Sequence, residues 1–159
     1  MTLEAQLEYL QSRQALLDAQ DYLSRANRLD AQIALKLARL DQLRARRDQL
    51  RRRLQIHTAD ESLPDLEALE RDVLQDYAAL LKLQAEIQAR IRLVPDDSQR
   101  AVLEMRYLNG APFFRVAMAI HYDERTVYRL HRAGLRMIAA LLARDGLLPP
   151  GEESGEKQS

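Results

Sequence analysis

The sequence predicts an all-α protein: a long antiparallel helical hairpin with coiled-coil-like seams, followed by a small helix-turn-helix domain. Only 5 Gly and 5 Pro occur in 159 residues, and strong helix formers dominate the remainder. Apolar residues recur at helical spacing over the first ninety residues. Three shorter helical segments, separated by turn signals, follow them.

The first region extends from about residue 3 to residue 57 without Pro or Gly. Residues 1–20 are predicted to be an N-terminal helical extension, which continues the first long helix, forms a separate helix or pairs with another subunit. From residue 21 an apolar stripe, interrupted by Arg47, comprises Leu29, Ile33, Leu37, Leu40, Leu43, Leu50 and Leu54. The stripe is narrow, so this helix needs a partner.

The second long helix provides that partner. Ser62 is a predicted N-cap with Asp65 three residues on, and Pro64 is tolerated in the first turn. A stripe close to a heptad repeat follows at Leu66, Leu69, Val73, Tyr77, Leu80, Ile87 and Ile91. The helix should end near Val94–Pro95. A short polar loop at about 55–61 predicts an antiparallel hairpin over residues 21–94.

The third region, residues 95–144, contains three helical segments: "SQRAVLEMRYL", "FFRVAMAIH" and "DERTVYRLHRAGLRMIAALLARD". Asp96 with Gln99 predicts a capping box, Asn109-Gly110 a break and Pro112 a helix start. The order of short helix, tight turn and long basic helix predicts a helix-turn-helix. His121 stands at the turn position where glycine is usual, and histidine is enriched at positive φ. The polar tail, residues 145–159, is predicted to be disordered.

The last helix has two opposed faces at 100° per residue. One carries a row of arginines within about 60° of one another, Arg125, Arg129, Arg132 and Arg136. The other carries Val127, Leu130, Gly134, Ile138 and Leu141. No acidic residue lies between Arg125 and Arg144. We therefore expect packing on one face and contact with duplex DNA on the other.

Eight residues are predicted to contact DNA: Arg115, Glu124, Arg125, Thr126, Tyr128, Arg129, Arg132 and Arg136. The N-terminal part of such a helix reaches base edges. Arginine donates to guanine O6 and N7, glutamate accepts from cytosine N4, and threonine meets a thymine methyl group. Arg115 and Arg136 are better placed for phosphates. The target sequence does not follow from the residues.

The stretch "RAVLEMRYLNGAPFFRVAMAIHYDERTVYRLHRAGLRMIAALL" resembles region 4 of sigma-70-type factors. With the preceding helices, roughly residues 19–143 resemble a family of uncharacterised phage and prophage proteins from Gram-positive bacteria, in which a helical hairpin precedes a sigma-region-4-like domain. The resemblance implies a sequence-specific transcription regulator that binds double-stranded DNA. The hairpin would then serve dimerisation or contact with RNA polymerase, in the cytoplasm of a bacterial host.

Two other classes stay open. One is a DNA-packaging protein resembling a small terminase subunit, and the other is a helical protein-interaction scaffold with an incidental basic helix. No second sigma-like region with promoter-melting aromatics is visible, since Trp is absent and Phe occurs only at positions 113 and 114. The residues leave open whether the protein activates or represses, its oligomeric state and its protein partner.

A second basic stretch, Lys36–Arg53, carries eight Lys/Arg against Asp41 and Asp48. The whole chain is neutral, with 24 basic and 24 acidic residues. Because the charge surrounds the helix, we favour a solvated arm, with contact to flanking phosphates next and an acidic partner as a further alternative.

The sequence contains no motif that indicates catalysis or cofactor binding. Cysteine is absent, which excludes disulfides and Cys-based zinc sites and is compatible with the cytoplasm. His57, His121 and His131 lack metal spacing; we predict a loop residue, a turn residue and a residue at the edge of the DNA face, respectively. We find no phosphate loop or nucleophile elbow, signal peptide or membrane-length apolar run. We therefore expect no enzyme, cofactor, metal or membrane partner.

Overall fold

The structure, a computed structural model, describes residues 2–54 and 63–148. These residues form α-helices and no strand, which confirms the all-α class. The helices are α1 (Leu3–Gln11), α2 (Arg13–Leu54), α3 (Leu63–Arg92), α4 (Asp97–Leu103), α5 (Phe113–Ile120) and α6 (Glu124–Arg144). No helix within the two described ranges is long and apolar enough to cross a membrane. The predicted loop at 55–61 with His57, the Ser62 cap and the tail from residue 149 lie outside the described residues.

The predicted N-terminal extension is divided between α1 and α2, because the chain leaves the helical conformation at Ser12 (φ −79°, ψ 160°). The Ser12 hydroxyl accepts a 3.3 Å hydrogen bond from the Ala15 N–H, which is how an N-cap satisfies a free donor. The Tyr9 hydroxyl donates to Asp18 of α2. Residues 3–11 therefore form a separate helix, whereas residues 13–20 belong to the first long helix, so the predicted boundary at residue 20 is wrong.

The described chain divides into two compact units. Of the described residues, unit one contains 2–25 and 84–148, and unit two contains 26–54 and 63–83. In unit two the buried apolar residues recur at intervals of seven in each helix: Ala26, Ile33 and Leu40 in α2, and Leu66, Val73 and Leu80 in α3. This repeat is the heptad seam expected of paired helices.

The predicted stripes are wrong at Leu37 and Leu50 of α2 and at Tyr77 of α3, which are exposed. The neighbouring Asp76 is half-buried because its carboxylate binds Lys36 Nζ at 2.6 Å. Lys36 Nζ also binds Asp72 at 2.9 Å, and Arg44 binds Glu70 at 2.9 Å. Cross-helix ion pairs, as well as apolar contacts, therefore line this seam.

Unit one has a core in which α6 packs against α1, α4 and α5. A small cluster joins the last three helices through Val102, Val116, Ala117 and Val127. A β-carbon added to Gly134 of α6 would lie 3.0 Å from Leu103 Cδ1, so a larger residue there would push Leu103 away. Close approach of α4 to α6 depends on this glycine.

Helix ends in unit one follow the predicted turn signals. Asp96 Oδ1 accepts a 2.8 Å hydrogen bond from the Gln99 N–H at the start of α4. The reciprocal half of the predicted capping box is not seen, and the buried Gln99 Oε1 has no hydrogen-bond partner in the described part of the chain. After Leu103 the helix widens into one π-helical turn over Glu104–Leu108, and Gly110 then reverses the chain at φ 68°. The turn after Asn109 thus ends the first segment as expected, whereas the π-helical turn has no signal in the sequence.

The predicted disordered tail is wrong at its start, because residues 145–148 close α6. The Gly146 N–H donates to Ala143 O at 3.1 Å and the Leu147 N–H to Leu142 O at 2.9 Å. With Gly146 at φ 74°, these bonds form a Schellman motif, which satisfies the last carbonyls of the helix. Asp145 also binds Arg90 Nη2 at 3.0 Å.

Candidate nucleic-acid interface

The turn between α5 and α6 is fixed by its own backbone. His121 ends α5 in the left-handed conformation, at φ 61° and ψ 38°. The Tyr122 N–H donates to Ala117 O at 3.2 Å, which closes the last turn of α5. Histidine therefore occupies the position that usually requires glycine, and the prediction of a tight turn at His121 is confirmed.

The first turn of α6 is capped. Asp123 Oδ1 accepts a 3.1 Å hydrogen bond from the Thr126 N–H, and hydrogen bonds from Thr126 lower the pKa of Asp123. The carboxylate stays ionised at neutral pH, and its negative charge interacts favourably with the positive end of the helix dipole. The cap and the turn together define where α6 begins and how it leaves α5.

The predicted arginine row lies entirely on the exposed surface of α6. All four side chains are exposed: Arg125, Arg129, Arg132 and Arg136. None of them has a hydrogen bond or ion pair to any residue in the described part of the chain. Four guanidinium groups on one helix face therefore keep their donors available to a ligand.

The opposite face of α6 is buried, and it is wider than the predicted stripe. Val127, Gly134 and Ile138 are buried as expected, whereas Leu130 and Leu141 are half-buried. The structure adds four buried residues that the stripe left out: His131, Leu135, Ala139 and Leu142. The added width arises because α1 and α4 both pack against α6.

The other predicted contact residues lie around the row. Tyr128 and Glu124 are exposed on one flank, and Thr126, on the other flank about 100° from Arg125, is half-buried. Arg115 is exposed on α5, and the two residues that follow it, Val116 and Ala117, are buried. The structure brings the four arginines into one row and leaves Glu124, Thr126 and Arg115 outside it.

Tyr128 rests against an aromatic neighbour that the sequence did not indicate. Its ring centroid is 4.7 Å from that of Phe113, with the planes tilted by 42°. Phe113 follows Pro112 as the first residue of α5 and is half-buried. The adjacent Phe-Phe pair at the helix start was visible in the sequence, but which ring packs inward is decided only by the fold.

The prediction for His131 is wrong: it is buried, with 6% of its surface exposed, instead of lying at the edge of the DNA face. Its Nε2 is 2.6 Å from the hydroxyl of buried Tyr107 and shares a hydrogen bond with it. Burial, helped by the charges of Arg106 and Arg132, lowers the pKa of His131 to about 4. Burial likewise raises the pKa of Tyr107 to about 12. Both rings are neutral at pH 7, and each satisfies the other's polar atom.

The Lys36–Arg53 stretch of α2 differs from the row, because acids bind part of its charge. Lys36 binds Asp72 and Asp76, Arg44 binds Glu70, and Arg47 Nε lies 3.4 Å from its neighbour Asp48. The favoured interpretation as a solvated arm fits the exposed Arg39, Arg46, Arg52 and Arg53 but not the three side chains bound to acids. Phosphate contact by the remaining arginines stays a prediction.

No cluster of His, Cys, Asp or Glu within the described ranges could hold a metal ion.

Compared with known proteins, the chain matches no family model, and the searches found no similar curated protein and no similar solved structure. The resemblance to sigma-70 region 4 and to phage proteins therefore stays a prediction.

Proposed function

We propose that this chain is a sequence-specific transcription regulator of phage or prophage type that binds double-stranded DNA. In this proposal α5, the turn at His121 and α6 form a helix-turn-helix, and α6 enters the major groove. One observation carries the proposal: four exposed arginines that form no ion pair or hydrogen bond with a described side chain lie in a single row on α6, opposite a face that is buried. Arg129 is close enough to Asp123 for its charge to help lower the pKa of that carboxylate.

The dimensions and chemistry of α6 suit that role. A major groove about 12 Å wide admits one α-helix with its side chains. Guanidinium groups donate both to phosphates and to guanine O6 and N7. Arginines bound to acids of their own chain would have fewer N–H donors available for DNA. None of the four arginines in the α6 row forms an ion pair with a described residue.

The position of each arginine along α6 suggests whether it contacts bases or phosphates. Arg125, Arg129 and Arg132 lie in the N-terminal half of α6, which reaches base edges in helix-turn-helix complexes. Arg136 and Arg115 would hold phosphates. Tyr128, Glu124 and Thr126 flank the row and would meet the bases or phosphates beside it.

For unit two we propose an antiparallel hairpin that serves dimerisation or contact with RNA polymerase. The ion pairs support the antiparallel direction, because the residue number rises from Lys36 to Arg44 while that of the partner falls from Asp76 to Glu70. The role is one of binding rather than catalysis, and a DNA target of this kind would place the protein in the cytoplasm of the host cell.

Selection from a random duplex pool at a stated salt concentration tests the proposal. Bound sites should converge on one short motif that the full chain prefers over random duplex by about 10³-fold or more. A pool that shows no enrichment contradicts sequence-specific regulation. The mass of the free chain in solution then separates classes, since a monomer or dimer fits a regulator and a large ring fits a packaging protein.

Arg129→Ala tests base reading by the row. If Arg129 binds a guanine, its loss should weaken binding to the selected motif by about 1–3 kcal/mol and relax the preference at one base position. Arg136→Ala is the matched control, which should weaken binding to every duplex alike. Equal losses on all sequences for Arg129→Ala would reassign that side chain to a phosphate.

A further inference from the structure

We infer that Phe113 is a positioning residue that fixes the ring of Tyr128 beside the arginine row, and that the buried Tyr107–His131 contact fixes Phe113 in turn. The consequence for DNA rests on the proposed function. The positioning itself is a property of the free chain.

The contact between Phe113 and Tyr128 restricts an otherwise exposed ring. Tyr128 is 45% exposed, and the 4.7 Å centroid distance at a 42° tilt lies within the range of favourable aromatic pairs. One side of Tyr128 is therefore covered by Phe113. The remaining surface of the residue is exposed, and Arg125 and Arg132 lie three residues before and four residues after Tyr128 on the same helix surface.

Phe113 is itself held from two other directions. Its ring meets His131 edge to face, with centroids 4.9 Å apart and planes at 75°. The Arg106 guanidinium carbon lies 4.6 Å from the centroid of the Phe113 ring, at cation–π distance. Arg106 Nη1 also donates to Ala111 O at 3.3 Å, which anchors that guanidinium to the turn before α5.

His131 closes the chain of contacts at the core. Its ring is stacked on that of Tyr107 at 5.7 Å between centroids, and the 2.6 Å hydrogen bond between the two side chains sets the ring orientation. Both residues are buried. Four rings thus connect the π-helical turn, through α5, to the exposed surface of α6, and each has a neighbour that limits its rotation.

A ring that is restricted before binding loses less side-chain freedom when it meets a ligand. The proposed consequence is that Tyr128 presents its hydroxyl to DNA at one place relative to Arg125 and Arg132. Replacing Phe113 should therefore weaken the contribution of Tyr128 to DNA binding, even though Phe113 itself touches no DNA.

A double-mutant cycle on the selected duplex tests this coupling in the full chain. Phe113→Leu should weaken binding roughly 2- to 10-fold while Tyr128 is present. In a Tyr128→Ala background the same change should cost little more, because the side chain that Phe113 positions is gone. Equal losses in both backgrounds would overturn the inference, because they would give Phe113 a role independent of Tyr128.

Val116→Ala is the matched control. Val116 lies in the same helix and is buried in the cluster with Val102, Ala117 and Val127, so its truncation tests for general loosening of α5. Its effect on DNA affinity should be the same with or without Tyr128. If Phe113→Leu fails to fold, Phe113→Met keeps more of the volume and takes its place in the cycle.

A measurement without DNA separates this inference from the proposed function. Three-bond couplings should show Tyr128 in one χ1 rotamer in the free wild-type chain, averaged rotamers in Phe113→Leu, and the wild-type rotamer in Val116→Ala. Averaging in the wild type, or no change in Phe113→Leu, contradicts the positioning whether or not DNA binds. A fixed ring in a chain that binds no duplex supports the positioning and contradicts the proposed function.

Discussion

Two stretches of this chain are strongly basic, and the structure treats their charge differently. In α2, residues Lys36–Arg53 carry eight cations, of which Lys36, Arg44 and Arg47 bind acids. In α6, the four arginines from Arg125 to Arg136 bind none of the described residues. The Lys36–Arg53 stretch has the larger formal charge, and two of its cations, Lys36 and Arg44, form ion pairs that join α2 to α3.

The comparison teaches that local net charge is a poor guide to a nucleic-acid surface. Exposed cations on helices are usually solvated or paired, and exposed ion pairs contribute little to stability. What distinguishes α6 is the combination of a row without acids, a buried opposite face and a capped start after a tight turn. The predictions that follow test that distinction from its largest expected effect to its smallest.

The largest effect should come from removing the row. The triple change Arg125→Ala/Arg129→Ala/Arg132→Ala should weaken binding to the selected duplex by about 100-fold or more, since each lost guanidinium contact is worth about 1 kcal/mol or more. Equilibrium titration of labelled duplex at fixed salt measures the change. Retention of wild-type affinity would remove α6 from the interface.

The matched control removes the same charge from α2. Arg46, Arg52 and Arg53 are exposed and have no ion pair with a described residue. The triple alanine variant at these positions should reduce affinity by no more than about 5-fold, since these side chains make no direct DNA contact in the proposed complex and only diffuse, screened attraction is lost. A loss as large as that of the α6 variant would mean that total charge, rather than the row, governs binding.

Local signals made much of α6 predictable from sequence. The arginine row follows from helical spacing alone. The Asp123 cap on the Thr126 N–H was not predicted, although it also depends only on residues three apart. The turn required a residue tolerant of positive φ, which His121 provides at 61°. These features depend on contacts within a few residues, so a sequence pattern can reveal them.

The failures come from contacts between distant residues. His131 was predicted to be a surface residue because it is polar. Its partner in the core is Tyr107, 24 positions earlier in the chain. Asp76, which lies next to the exposed Tyr77, is half-buried and binds Lys36 in the other long helix. Spacing shows which face a residue occupies, whereas its partner across the fold decides whether a polar side chain can be buried there.

Acidification should destabilise unit one through the buried face of α6. The folded-state pKa of His131, about 4, lies below its ordinary value of about 6.5, so the folded chain takes up this proton less readily than the unfolded chain. Stability should be complete above pH 6.5 and fall between pH 6.5 and 4, by at most about 3 kcal/mol. Urea unfolding at a series of pH values measures the loss.

His131→Gln is the control for that titration, because glutamine takes up no proton in this range. The variant should be less stable at pH 7 and show a flatter profile between pH 6.5 and 4.5. A wild-type profile that is already flat in that window would contradict a buried neutral His131. The lowered pKa values of Asp123 and Asp145 act only at lower pH, as those carboxylates become protonated.

The smallest effect concerns the ion pairs of α2. Lys36→Ala removes the contacts to Asp72 and Asp76 and should speed amide hydrogen exchange in the neighbouring turns of α3 by about two- to fivefold, an effect that high salt should reduce. Arg39→Ala, three residues along α2 and without an ion pair among the described residues, should leave exchange unchanged. Identical exchange in all three proteins would show that these ion pairs stabilise nothing.

The most direct test is to observe which basic stretch contacts DNA. The selected duplex is titrated into the isotopically labelled full chain, and backbone amide and arginine Nε–H signals are followed. We expect the largest changes at Arg125, Arg129 and Arg132 and at the turn before them, with the signals of Lys36–Arg53 nearly unchanged at equimolar duplex. Large changes confined to Lys36–Arg53, with the α6 arginines unaffected, would contradict the assignment of the DNA surface to α6.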